Sequence, residues 1–168
     1  MKKQDSYVHY MTTASELDQR GIICTTVGYQ TILPHQNYPP VGSHPEGYYF
    51  QKGHGRRLPE YQVVYIAEGN GFFESEHVKR QYVSAGQCFL LFPNEWHEYA
   101  PSRESGWKEY WVGFRGKFAC QFVEEMMLST ENPIVRIHNH VRFISLFDEI
   151  IHNSEYELSG YQLLCSGM

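Results

Sequence analysis

Two neighbouring stretches carry most of the residues able to do chemistry. LLFPNEWHEYAP (90–101) presents Glu95, Trp96, His97, Glu98 and Tyr99 directly after a proline, and GWKEYWVGFRG (106–116) adds Trp107, Glu109 and Trp111. An imidazole can ligate a metal, act as a base or hydrogen-bond within a pocket wall. A carboxylate can pass protons, while an indole face gives contact area to the C–H side of a sugar and a Tyr hydroxyl gives it direction. In an extended strand, Trp107, Glu109, Trp111 and Gly113 share one face and Lys108, Tyr110, Val112 and Phe114 the other.

A metal site needs three or four ligands converging from adjacent elements. The preceding stretch LPEYQVVYIAEGNGFF (58–73) supplies no His to join His97, His138 and His140 stand just before a helix, and His35, His44 and His54 are scattered in or beside a loop. No metal and no cofactor is expected. A G-x-S-x-G elbow, a cysteine signature and a Gly-rich phosphate loop are all missing, and the G-H-G at 53–55 is no substitute. The sequence therefore reads as a binding module, not an enzyme. Glu95 and Glu98 read as solvated loop charge, Trp107 as core, and Trp111 as either core or pocket.

The chain that must position these groups has 168 residues, enough for one compact domain. A net charge of −5 leaves no basic field to hold a phosphate backbone, so DNA contact is not expected of this stretch itself. Four cysteines, never paired as C-x-x-C, suggest reduced core thiols, and no signal-peptide or membrane-length apolar run occurs, so a cytoplasmic protein is expected. Aromatics at 15% favour strands and pockets.

Residues 1–20 read as a polar arm that orders on a ligand or partner. Short β-like runs follow at 22–29, 47–51, 61–68, 71–75, 80–83, 87–92 and 107–115, with hairpin-type turns expected at Glu68-Gly69-Asn70-Gly71 and Ser84-Ala85-Gly86. The loop 35–47, stiffened by Pro39, Pro40 and Pro45, could close a barrel mouth. Helices are expected at 117–128, where Phe118, Phe122 and Met126 share a face, and at 141–152; a further strand is expected at 132–137. At 155–168 the apolar pattern Leu158, Tyr161, Leu164 or Cys165, Met168 runs to the last residue without a cap, as in a domain excised from a longer chain.

The Gly-led strand GQCFLLFP followed by His97 resembles the second block of the cupin barrels. The composite F-P-x-x-x-H-x-Y, then W-x-x-x-W-x-x-F-x-G, resembles more specifically the N-terminal ligand-binding and dimerisation domain of AraC family transcription regulators, over about residues 20–168. That resemblance implies a mainly β, cupin-like double-stranded β-helix (jelly-roll) barrel at 21–116, followed by a C-terminal α-helical dimerisation region at 117–168. It also implies a helix-turn-helix DNA-binding domain that this stretch does not contain. It carries the family's pocket Tyr and Trp onto Tyr99 and Trp111, puts Glu109 where the family has a His, and puts His54, with Arg56 and Arg57 close by, where it has an Arg. The expected effector is a mono- or oligosaccharide held by Tyr99, Trp111, Glu109, His97, His54, Arg57 and Trp96. Homodimerisation is expected through Tyr161, Leu164, Cys165 and Met168, unless that stripe packs on the barrel's own wall. Two rivals remain open: a metal-dependent cupin isomerase or dioxygenase, and a stand-alone carbohydrate-binding module.

Overall fold

A computed structural model describes residues 6–11, 21–40, 48, 54–156 and 161–167, with the backbone alone for 162–164. The chain runs β1 (Ser6–Tyr10), β2 (Ile23–Ile32), β3 (Tyr61–Ser75), β4 (Gln81–Ser84), β5 (Gln87–Leu91), β6 (His97–Pro101) and β7 (Trp107–Arg115). It continues through α1 (Ala119–Glu125), β8 (Ile134–Arg136), α2 (His140–Tyr156) and α3 (Tyr161–Gly167). All pairings are antiparallel, in the order β1-β2-β7-β3-β5-β8, with β4 and β6 also on β3. The protein is mainly antiparallel β with C-terminal helices, as the sequence suggested.

β3 is the backbone of the fold and corrects the expected hairpins. Residues 61–68 and 71–75 form one 15-residue strand, because Gly69 and its neighbours bend it without reversing it. A bulge lies between Ile66 and Glu68; the first half pairs with β7 and β5, the second with β4 and β6, so one strand turns the corner of the barrel. Gly71 sits at the tightest point, where an added Cβ would lie 2.1 Å from Ala100 O. Nor does Ser84-Ala85-Gly86 close a hairpin: Ala85 and Gly86 donate to Gly69 O and Ile66 O, and the strands on either side pair with different halves of β3. β6 is a strand where the sequence suggested a loop, while the expected strand 47–51 lies mostly outside the described residues.

The apolar core has an inner and an outer part. Val64, Ile66, Phe73, Phe89, Tyr99, Trp107 and Trp111 fill the inside of the curled sheet. Outside, Tyr65, Cys88 and Tyr110 pack against Phe147, Ile150 and Ile151 of α2, the face its apolar period marks out. α1 buries Ala119 and Val123, not the expected Phe118, Phe122 and Met126, which are 52%, 45% and 48% exposed. Part of the supposed arm, Ser6–Tyr10, is a regular strand paired to β2, and Tyr7 reaches Ser154 of α2 at 2.9 Å. No helix among the described residues is long and apolar enough to cross a membrane.

Candidate functional site

The inward face of β7 builds the site, and its neighbours complete it in layers. Gln30 of β2 stands opposite Glu109, Gly28 opposite Trp111 and Thr26 opposite Gly113; on the other side β3 brings up Ile66, Val64 and Gln62. Glycine is required at 28: an added Cβ would fall 2.4 Å from Trp111 Cζ2 and 2.5 Å from Tyr7 O, so the indole rests directly on backbone. At Gly113 a Cβ would lie 2.6 Å from both Glu60 Oε1 and Thr26 Oγ1, and its omission lets a second carboxylate into the interior. Two polar ends, Glu109 with Gln30 and Glu60 with Gln62 and Thr26, thus flank Trp111.

Glu109 is 2% exposed and accepts hydrogen bonds from Gln30 Nε2 and, at 3.0 Å, from the Tyr38 hydroxyl. Burial pushes its carboxyl up to about 7, against the pull of those two donors and of the Arg56 charge. The Trp107 indole N–H faces the carboxylate without closing a hydrogen bond of normal geometry. At the other end Tyr48 OH donates to Glu60 at 3.2 Å, and burial raises that carboxyl too.

Arg56 spans the space between the two carboxylates. Gly55, at φ +61°, turns the chain so that Arg56 and His97 exchange backbone hydrogen bonds of 2.9 and 3.0 Å. The guanidinium then donates from Nη2 to Tyr99 OH at 2.7 Å, from Nε to His97 Nε2 at 3.2 Å, and from Nη1 to the Tyr48 carbonyl. His97 is 1% exposed, and burial, reinforced by the Arg56 charge, lowers its pKa to about 3. With Nε2 accepting from Arg56, Nδ1 carries the proton and donates to Glu95 O at 3.1 Å. His97 is therefore a neutral acceptor that aims Arg56. Among the described residues no three His, Cys, Asp or Glu side chains converge as a metal would need.

Of the residues expected at the site, Tyr99, Trp111 and Glu109 line one small chamber, and His97 stands behind it. Arg57 does not enter; it is 53% exposed and pairs with Glu76 at 2.9 Å. His54 is exposed and offers only its carbonyl, to Trp96 Nε1 at 2.6 Å, so Trp96 braces the Gly55 turn. The interior arginine is Arg56, which an isolated antiparallel bridge to His97 aims at His97 Nε2 and Tyr99, while Arg57 pairs with Glu76 at the surface. Gln30, Gln62, Tyr10, Tyr38 and Tyr48 also line the chamber and were not anticipated. For Gln30 and Gln62 the signal was a polar residue set within an otherwise apolar strand, as in Thr26-x-Gly28-x-Gln30. In the proposed interface, Cys165 is 4% exposed and packs in the outer core of its own chain, and Tyr161 stacks edge-on to His9 at 6.1 Å. For Cys165 this is the packing on the barrel's own wall that the sequence left open; Met168 and the Leu164 side chain lie outside the described residues.

A curled β-sheet with hydrogen-bonding side chains gathered around an indole in its interior is the architecture of a small-molecule-binding β domain. Residues 42–167, most of the chain, match the model of the AraC-like ligand binding domain, and the chain belongs to that family. Solved structures similar in fold include the YhaK protein of Escherichia coli (12% identity, TM-score 0.47, 79% of this chain and 51% of that one). Others are the Cnp3 cupin domain of Schizosaccharomyces pombe (6%, 0.40, 76% and 74%) and a cupin-like protein of Thermotoga maritima (13%, 0.38, 79% and 75%). The chain spans about half the length of the YhaK structure. Comparison with curated proteins gives no match.

Proposed function

We propose that this domain is the effector sensor of an AraC-type transcription regulator, that its effector is an uncharged sugar, and that binding is relayed to a helix-turn-helix DNA-binding domain. The observation that carries the sugar is the Trp111 indole with polar groups at both of its ends: Glu109 and Gln30 on one side, Gln62 and Glu60 on the other. A pyranose presents an apolar C–H face and hydroxyls at opposite edges of its ring, which is what such a slot can read. Among the described residues the guanidinium lining the chamber is that of Arg56, already committed to Tyr99, His97 and Tyr48, so an anionic sugar would meet two carboxylates against a committed countercharge. Homodimerisation through the C-terminal helices belongs to the same proposal, and Val141 and Tyr156 of α2, 84% and 62% exposed, are the apolar positions it would cover.

Calorimetry over a panel of neutral, amino and acidic mono- and oligosaccharides tests the reading. A neutral sugar is expected to bind, and Trp111→Ala to weaken it at least tenfold with the fold retained, the scale of about 1.4 kcal/mol of lost stacking. A panel in which only acidic sugars bind, or in which Trp111→Ala leaves affinity unchanged, would remove it.

A further inference from the structure

The chamber beside Trp111 has a volume of only about 20 Å³, room for one water molecule, whereas a six-membered ring needs roughly 150 Å³. What fills the rest is Tyr38. Its hydroxyl donates to both Glu109 oxygens, at 3.0 and 3.3 Å, and its ring stands edge-on to Trp107 at 5.7 Å and tilted against Tyr99 at 6.1 Å. Tyr38 also lines an outer cavity of about 210 Å³, walled by Leu33, Gln36, Asn37, Ser102 and Arg103. Among the described residues, Tyr38 is the one that lines both spaces.

We propose that Tyr38 is a resident occupant of the effector site: a flat ring with a hydroxyl on Glu109, which the effector must displace and imitate. The site of the bound state is then the inner chamber and the outer cavity joined by the departure of this side chain. The effector it admits is a ring compound that replaces the lost hydrogen bond with a hydroxyl of its own. Glu109 sets this demand, since a buried carboxylate reduced from two side-chain donors to Gln30 alone is costly whatever else the ligand touches. Displacement also supplies the signal: the segment His35–Pro40, freed of its side-chain anchor, changes position when the ligand arrives and not otherwise. Affinity measured on the native chain is lowered by the fraction of molecules with Tyr38 seated.

The proposal rests on the sugar reading above only for the identity of the ligand, and the test separates the two. Tyr38→Phe keeps the ring and deletes the hydrogen bond; it is expected to bind the sugar that the native protein binds about tenfold more tightly, the worth of one hydrogen bond to a charged acceptor. In the same variant the Glu109 titration, followed through Trp fluorescence, moves to higher pH because a donor to the carboxylate is gone. Tyr38→Ala is expected to bind 4-methylphenol, the tyrosine side chain as a free molecule, while the native protein excludes it. If no sugar binds any form, the sugar reading fails, and the titration and 4-methylphenol arms still decide for or against Tyr38. Sugar affinity equal or weaker in Tyr38→Phe makes Tyr38 a wall residue and overturns the proposal. An unmoved Glu109 titration, or 4-methylphenol rejected by folded Tyr38→Ala, overturns it equally.

Discussion

On the outward side of β7, Tyr110 and Phe114 pack ring against ring, 5.5 Å from Phe147 and 5.4 Å from Tyr61; on the inward side, Glu109 and Trp111 meet Gln30, Tyr38 and bare glycine backbone. The two faces are almost equally buried, with Tyr110 and Glu109 both 2% exposed. Burial therefore does not separate a site from a core here. The distinction lies in how polar atoms are satisfied. The inward carboxylate is held by neutral donors, one of them on a side chain from an irregular segment, and a ligand hydroxyl can take over such a bond at little net cost. The outward face is anchored by area and shape, and no small molecule substitutes for that.

Truncation on the outward side should give the larger stability effect. Phe147→Ala removes a 3% exposed ring in contact with Tyr65, Tyr110 and Phe143, and is expected to cost about 4 kcal/mol in denaturant unfolding while the folded fraction keeps its ligand affinity. A cost under 1 kcal/mol would mean that α2 is not anchored there and would undo the contrast between the faces.

The inward side should show itself in pH dependence instead. The Glu109 carboxyl lies near 7 in the fold against an ordinary value near 4.5, so between those limits the folded state holds more protons than the unfolded one. Its contribution to stability is complete below pH 4.5 and is lost as pH rises through 7, a change on the order of 3 kcal/mol. His97 runs the opposite way: its pKa falls from 6.5 to about 3 on folding, so stability is lost as pH drops below 6.5. The windows overlap, and the difference between native protein and Glu109→Gln isolates the carboxylate. That difference should decline from pH 4.5 to 7; a flat difference would show Glu109 to be hydrated and the inward face no different from ordinary surface.

What the sequence could disclose follows from the same contrast. α2 and the full span of β7 were readable because their periods of 3.6 and 2 are enforced by a continuous apolar surface. The long course of β3 was not, because Gly69-Asn70-Gly71 has the composition of a hairpin turn, and only the pairing of β4 and β6 with its second half keeps it extended. Of the residues lining the chamber, Tyr99, Glu109 and Trp111 were named from alternation and family resemblance together. Arg56 was passed over for Arg57, since adjacent arginines are equivalent until the Gly55 turn and the bridge to His97 fix which one points inward. Tyr38 belongs to a proline-rich segment without a period of its own, so its insertion depends on tertiary contacts alone.

The smallest expected effect sharpens the comparison most. Tyr99→Phe keeps the ring that packs 5.0 Å from Phe89 and removes only the hydroxyl that accepts from Arg56 Nη2 at 2.7 Å. Stability should fall by about 1 kcal/mol, because Arg56 retains His97 Nε2 and the Tyr48 carbonyl as acceptors. Ligand affinity should fall by more than stability does, since the Tyr99 hydroxyl and the Arg56 Nη2 donor that it orients both line the chamber. Equal small losses in both, measured by denaturation and calorimetry on the same preparation, would place Tyr99 with Tyr110 as packing. A binding loss exceeding the stability loss identifies the Tyr99–Arg56–His97 chain as the element that holds the inward face ready for a ligand. It would also explain why a histidine in a cupin-like barrel is kept neutral and turned away from the chamber.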